Sequence, residues 1–279
     1  MNEVSFVGDL SDRGPTRVRV SRWRQCVAIP ALLAWLVVIP PAFLLARLLG
    51  RRPAEAMALR FHRGVCRIFN LKIRVEGTPS EDRPTLFVAN HASYIDVFVL
   101  GSLVPGVFVA KADVAQWPVF GKLAALQNTV FIERNPRRTA AQIPLLKARL
   151  AGAENLFIFP EGTSTDGTRV RPFRPSLLAA ALDPTVAVQP VTIAYRRYEG
   201  QPMLPADRDF YAWYLPMTFV PHFLNVMGLG VAEVTVRFHP LVEGESDRKL
   251  LAQRCYASVA GALSELVPSA AAGQPTDRQ

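Results

Sequence analysis

The chain has 279 residues, enough for one large α/β domain or two small ones, and half of them are hydrophobic. With 32 Lys and Arg against 23 Asp and Glu, its formal net charge is +9, which predicts an anionic partner such as nucleic acid or a lipid surface. Nucleic acid is disfavoured, because zinc-finger spacing, RNP-like aromatic motifs and basic-region heptads are absent. The three cysteines lack Cys-x-x-Cys spacing, which argues against a disulfide framework and a zinc site.

The N-terminal part of the chain has the composition of a membrane-associated region. Residues 1–25 are polar and basic, and we expect this segment to be mobile. Residues 26–50 are almost wholly apolar and long enough to span a bilayer. Arginines flank both ends of this run, so the positive-inside rule cannot orient a spanning helix. Pro40 and Pro41 interrupt it. We therefore favour a two-helix hairpin bent at these prolines and embedded from the cytoplasmic face over a single span.

The next segment, residues 54–68, has apolar side chains at helical spacing and arginines on its other faces. This pattern predicts an amphipathic helix that lies near the membrane. The composition then changes, so we divide the chain into four parts. These are a mobile basic N-terminus (1–25), a membrane-associated helical region (26–70), an α/β domain (71–267) and a disordered tail (268–279).

Within the predicted α/β domain, short apolar or alternating runs are separated by helical patterns. The runs predict strands at 71–75, 85–89, 107–110, 129–132, 155–159, 186–194 and 232–238. The segments between them predict helices at 94–103, 117–126, 136–150 and 245–267. Strands that alternate with helices in this way indicate an α/β layer fold.

Two polar clusters directly follow predicted strands. One is Asn90-His91-Ala92-Ser93-Tyr94-Ile95-Asp96 and the other is Phe159-Pro160-Glu161-Gly162-Thr163. Open α/β sheets place their ligand crevices at the carboxyl ends of strands, so both clusters are candidates for such a crevice.

His91 and Asp96 are the candidate catalytic pair. With His91 in the turn and Asp96 in the first turn of the following helix, the carboxylate can reach the imidazole. A neutral imidazole could then take the proton of an attacking alcohol, while the carboxylate fixes its tautomer. The alternative is a helix N-terminus at which Asp96 only complements the helix dipole.

Four stretches together resemble the four sequence blocks of the lysophospholipid acyltransferase family, over roughly residues 26–240. They are Asn90-His91-x4-Asp96, Phe131-Ile132-Glu133-Arg134, Phe159-Pro160-Glu161-Gly162-Thr163 and Gln189-Pro190-Val191. The resemblance implies a glycerolipid acyltransferase-like mixed sheet flanked by helices, with an N-terminal membrane-embedded helical pair. It also implies membrane lipid biosynthesis at the cytoplasmic face of the inner membrane.

The reaction that the resemblance implies is transfer of an acyl group from a thioester, on acyl carrier protein or coenzyme A, to a lysolipid hydroxyl. No metal, further cofactor or covalent enzyme nucleophile is expected, and the sequence has no Gly-x-Ser-x-Gly elbow. His91 would be the general base and Asp96 its orienting partner. Arg134 could clamp an anionic acceptor group, or be a solvated charge at a strand end.

The third block is expected to bind substrate through Glu161, Gly162 and Thr163. Backbone amides in this turn could stabilise an oxyanion or bind the acceptor, and Glu161 could bind the acceptor or hold the loop. A purely structural β-turn is the alternative.

One position departs from the family pattern. An arginine commonly follows the position of Thr163, and this chain has Ser164 there, although arginines recur at 169, 171 and 174. The extended block resembles the lyso-ornithine lipid branch of the family. Lysophosphatidic acid and lyso-ornithine lipid both stay open as acceptors.

Two alternative functions remain, a non-catalytic lipid-binding protein and a thioesterase. The intact His91-Asp96 pair argues against the first, since a protein that only binds lipid needs no base.

Overall fold

The protein, seen in a computed structural model, is described over residues 16–81, 84–133 and 136–267. The predicted disordered tail and residues 1–15 lie outside this part. Its strands are β1 (Leu71–Glu76), β2 (Thr85–Ala89), β3 (Val107–Lys111), β4 (Val130–Ile132), β5 (Leu156–Ile158), β6 (Ala187–Tyr198), β7 (Gln201–Pro202) and β8 (Ala232–Phe238). Its α-helices are α1 (Arg22–Leu48), α2 (Arg51–Ile68), α3 (Ile95–Gly101), α4 (Phe120–Leu126), α5 (Pro136–Ala151), α6 (Pro205–Arg208), α7 (Phe219–Met227) and α8 (Arg248–Leu266).

The eight strands form one mixed sheet in the order β1-β8-β6-β2-β5-β3-β4, and β7 pairs with β6. β2 runs parallel to both of its neighbours, β5 and β6, while β6 and β8 are antiparallel. Each of the seven predicted strands is present, so the predicted mixed α/β sheet is confirmed. The largest difference is in β6, which was expected to end at residue 194 and continues to Tyr198.

Helices cover both faces of this sheet, and β2 explains why. All five of its residues are buried, and its apolar run does not alternate, as is typical of a strand buried on both sides. Phe87 packs in the core that contains α1, α2, α3 and α7. Leu86 and Val88 point the other way, into the core formed with α5 and α8.

The predicted N-terminal helical pair exists, but its predicted bend at Pro40 and Pro41 is wrong. α1 is continuous through both prolines to Leu48, and the chain turns at Gly50 before α2 begins. Gly50 has a φ of +118°, a conformation that residues with a Cβ rarely adopt. The prolines remove backbone donors, but packing against a neighbouring helix can hold an apolar helix through such positions. Trp35 provides such a contact, because its indole nitrogen donates to the Phe61 carbonyl of α2 at 3.1 Å.

Residues 16–25, which were expected to be mobile, are attached to the α/β domain. The Thr16 hydroxyl and the Arg17 amide both donate to the buried Asp207 carboxylate at 2.8 Å. Val18 is buried, and α1 begins at Arg22. Residues 16–25 are therefore not mobile as their composition indicates, because polar groups here bond to a partner almost two hundred residues away.

Of the described helices, α1 alone has the length and apolar composition needed to cross a membrane. Both of its ends, however, are bonded to the same domain. Near its start, the Gln25 side-chain amide donates to the Leu224 carbonyl at 2.9 Å, and near its end Arg47 donates to the Leu126 carbonyl at 3.4 Å. α1 therefore lies along the α/β domain and does not project away from it.

Candidate active site

The sheet brings the two polar clusters together. β2 and β5 are adjacent and parallel, with Val88 opposite Ile158, so the turns that follow them leave the same edge of the sheet. On the other side of β2, Asn90 fixes the start of its turn to β6. Its side-chain amide donates to the Ile193 carbonyl at 2.9 Å, and the Ile193 amide donates back at 2.8 Å.

His91 and Asp96 meet as the sequence predicts. The imidazole Nδ1 lies 2.9 Å from Asp96 Oδ2, and Asp96 is in the first turn of α3. The same oxygen accepts the amides of Ala92 and Ser93 at 2.7 and 2.9 Å. Because a carboxylate accepts from Nδ1–H, it favours the tautomer whose Nε2 carries the free lone pair. The His91 side chain is 23% exposed, so solvent or substrate can reach the imidazole.

Two further side chains hold the pair in place, and neither was assigned this role from the sequence. The Tyr195 hydroxyl donates to Asp96 Oδ1 at 2.8 Å. Burial raises the pKa of Tyr195 well above its usual value, so the phenol remains a donor. The Phe159 ring stacks on the imidazole, with centroids 4.2 Å apart and planes 20° from parallel. The continued alternation of Ile193 and Tyr195 along β6 was the signal that could have identified the tyrosine.

Glu161 connects the turn after β5, in which it lies, to the turn after β2. Its Oε1 accepts the His91 amide and its Oε2 accepts the Arg171 amide, both at 2.7 Å. The side chain is only 2% exposed. Burial raises its pKa to about 7, and the two amide bonds oppose this increase. With both oxygens bonded to backbone, Glu161 is placed to hold the loops, the second of the two roles considered above.

The other predicted site residues have different outcomes. Gly162 has a φ of +73° and lies in the turn beside Glu161, and Thr163 follows it, half-buried. Arg134 lies outside the described residues. The strand before it, β4, is at the edge of the sheet and is separated from β5 by β3. Within the described chain, no cluster of three or more His, Cys, Asp or Glu side chains could hold a metal ion.

The loop between α6 and α7 also contacts both turns, although we assigned no site there from the sequence. The Trp213 amide donates to the Ala92 carbonyl at 2.8 Å. The Ser164 hydroxyl donates to the Trp213 carbonyl. The Thr165 amide donates to the His91 carbonyl at 3.0 Å. Position 164, where the family commonly has arginine, therefore serves here to attach the Trp213 loop to the turn after β5.

Comparison with known proteins identifies the chain. The family model described as Acyltransferase matches residues 72–194. The lyso-ornithine lipid O-acyltransferase of Rhizobium meliloti is 38% identical over 265 residues, which cover 89% of this chain and 91% of the relative. The chain belongs to the acyltransferase family. The 1-acyl-sn-glycerol-3-phosphate acyltransferase of Neisseria meningitidis is 34% identical over 142 residues, covering 50% of this acyltransferase and 55% of the relative.

A solved structure supports the same fold. The crystal structure of the 1-acyl-sn-glycerophosphate acyltransferase from Thermotoga maritima matches this acyltransferase with a TM-score of 0.65 at 21% identity. The match covers 88% of this chain and 96% of that one. The expected glycerolipid acyltransferase-like architecture is therefore confirmed.

The hydrogen bonds of Asp96 predict losses of activity of different size in two variants. In Asp96→Asn, the amide NH₂ can bond to Nδ1 and favour the tautomer protonated on Nε2, so acyl transfer should fall about 10²- to 10⁴-fold. Tyr195→Phe removes one bond to the same carboxylate and should cost about tenfold. Steady-state turnover measures both effects, and thermal unfolding checks that the variants fold. Tyr256→Phe, on α8 at the other face of the sheet, is the matched control. Equal losses in Tyr195→Phe and Tyr256→Phe would contradict the assignment.

The raised pKa of Glu161 predicts a pH dependence of stability. Between the ordinary value of 4.5 and about 7, the folded protein binds a proton here that the unfolded chain has lost. The contribution of Glu161 to stability is thus complete below about pH 4.5 and is lost as the pH rises to about 7. Thermal unfolding of the wild type and Glu161→Gln across this range measures it. The difference in stability, wild type minus variant, should decrease with pH, and a difference that rises would contradict the shift.

Proposed function

We propose that this acyltransferase transfers a fatty acyl group from a thioester, on acyl carrier protein or coenzyme A, to the hydroxyl of a lyso-ornithine lipid. The choice of acceptor rests on how much of this chain each relative matches. The relative named for this acceptor matches nearly the whole chain, whereas the Neisseria enzyme named for 1-acylglycerol 3-phosphate matches half of it. The extended third block around Ser164 supports the same choice.

The geometry around His91 supports direct transfer between the two substrates. Nε2 of the neutral imidazole would take the hydroxyl proton while the acceptor oxygen attacks the thioester carbonyl. The resulting tetrahedral intermediate would expel the thiolate, which takes the proton back from the imidazolium. Asp96 would stabilise the imidazolium between these two proton transfers. His91 and Asp96 would thus act as base and orienting partner, and no bond to the enzyme would form.

The remaining predicted site residues would position substrate. The turn that contains Gly162 and Thr163 lies beside His91, so its backbone amides are placed to stabilise the oxyanion or bind the acceptor. Glu161 would position this turn and would not contact the acceptor. Arg134 would bind the anionic group of the acceptor, as the resemblance implies.

The position of α1 supports an embedded helical pair over a spanning helix. A helix of 27 residues is about 40 Å long, so a spanning α1 would place its two ends on opposite sides of the membrane. Both ends are bonded to the same α/β domain, and one domain cannot contact both ends if they are on opposite sides of a membrane. Exposed apolar side chains occur along its length, among them Val27, Val37 and Leu45. We propose that residues 26–70 lie within the cytoplasmic leaflet and that 71–267 form the catalytic domain.

The acceptor is tested with purified enzyme in mixed micelles. Synthetic lyso-ornithine lipid and 1-acylglycerol 3-phosphate are each combined with acyl carrier protein and coenzyme A thioesters, and lipid products are measured. We expect diacylated product from lyso-ornithine lipid. His91→Ala should lower the rate about 10²- to 10⁴-fold. His239→Ala, whose imidazole bonds to Thr192 away from the site, is the control histidine.

Three outcomes would reject parts of this proposal. Product from 1-acylglycerol 3-phosphate alone would reject the acceptor. Fatty acid released without dependence on an acceptor would identify a thioesterase. Binding of lipid with no turnover on any combination would identify a non-catalytic lipid-binding protein.

The membrane geometry is tested by measuring the depth of labels on α1. In a Cys26→Ser background, single cysteines replace Val27, Val37 and Leu45 and receive a fluorescent label. Lipid-attached quenchers in phospholipid vesicles then report depth. An embedded α1 should give three similar, shallow depths, whereas a spanning helix would place Val37 far deeper than the others. Leu250→Cys on α8, which is also exposed, should stay in water.

A further inference from the structure

The guanidinium of Arg174 lies directly against the turn that follows β5. A Cβ built on Gly162 would be 2.9 Å from Arg174 Cζ, so this close approach depends on glycine at 162. The positive φ of Gly162 favours glycine for a second reason. The Arg174 backbone is also fixed, because its amide donates to the Pro160 carbonyl at 2.9 Å. The turn between Phe159 and Thr163 therefore carries a cation on its surface, one residue away from the carboxylate that bonds to His91.

This cation has no counter-charge in the turn. Glu161 is the adjacent carboxylate, but it is buried and both of its oxygens accept backbone amides. Within the part of the chain that the structure describes, no acidic side chain forms an ion pair with Arg174. Its side chain is exposed, so N–H donors of the guanidinium are accessible to a ligand. Ser164 is neutral and bonds to the Trp213 carbonyl, so the position where the family commonly has arginine supplies no charge here.

We propose that Arg174 is a specificity-determining residue that binds the oxyanion of the acceptor headgroup, in addition to Arg134. This proposal rests on the proposed function, under which the oxyanion is the carboxylate of the ornithine headgroup. A guanidinium can hold a carboxylate with two parallel hydrogen bonds, which fixes orientation as well as position. Held there, the headgroup is next to the turn that Glu161 joins to His91, and the acceptor hydroxyl can approach the base. A phosphate has the same chemistry and is distinguished by the experiment.

The test measures KM and kcat for the acceptor. Arg174→Gln should raise KM for lyso-ornithine lipid about ten- to a hundredfold and change kcat by less than about threefold, because the lost contact exists in both ground and transition states. Arg174→Lys keeps the charge but lacks the planar guanidinium, so its KM should lie between those of the wild type and Arg174→Gln. Arg169→Gln, an exposed arginine of the same loop, is the matched control and should leave both constants unchanged. Thermal unfolding confirms that each variant is folded.

A neutral acceptor separates direct binding from a structural effect. For the wild type, KM should be about ten- to a hundredfold higher for the methyl ester of lyso-ornithine lipid than for the acid. For Arg174→Gln, the two KM values should be similar. If the variant still prefers the acid by the wild-type factor, or Arg169→Gln has the same effect, the assignment of Arg174 is overturned. Absence of lyso-ornithine product from the wild type would instead reject the proposed function. If 1-acylglycerol 3-phosphate is then the acceptor used, an unchanged KM in Arg174→Gln overturns the inference as well.

Discussion

The geometry of the site depends on one buried carboxylate. Asp96 is fully buried and accepts four hydrogen bonds, from the imidazole, two backbone amides and the Tyr195 hydroxyl. A buried carboxylate is costly unless donors compensate for the lost water, so these four hydrogen bonds together stabilise it in the folded protein. They come from the turn after β2 and from β6. The requirement to solvate Asp96 therefore also sets the position and tautomer of His91.

Glu161 applies the same principle to the neighbouring turn. It is buried as well, and its two oxygens accept amides from the turn after β2 and from residue 171. Irregular loops have few apolar contacts that could fix them, so two buried carboxylates replace packing at this edge of the sheet. The difference between the two is charge balance. Asp96 bonds to an imidazole that can become cationic, whereas the groups that bond to Glu161 are neutral amides, and burial raises the pKa of Glu161.

The sequence predicted what local patterns determine. Apolar runs located the strands, and the spacing of His91 and Asp96 located the pair, because one turn of chain joins them. It did not assign Tyr195 or Trp213, since both act through contacts with residues distant in sequence, and it noted Arg174 only as one of three arginines that follow the third block. The bend at Pro40 was predicted from the rule that proline disrupts helices, and packing against α2 overrode that rule. Arg134 and the tail lie outside the described residues, so these predictions stay open.

The contacts of α7 connect α1 to the turn that contains His91. Gln25 of α1 bonds to the carbonyl of Leu224 on α7, and His222 of α7 lies 3.0 Å from the hydroxyl of Tyr94, which precedes α3. Asp96 is in the first turn of α3, so two hydrogen bonds, connected through α7 and the start of α3, lead from α1 to this carboxylate. An α1 within the membrane surface would hold this side of the domain against the lipid. A lysolipid headgroup could then reach His91 while its acyl chain remained in the bilayer, which avoids the cost of moving that chain into water.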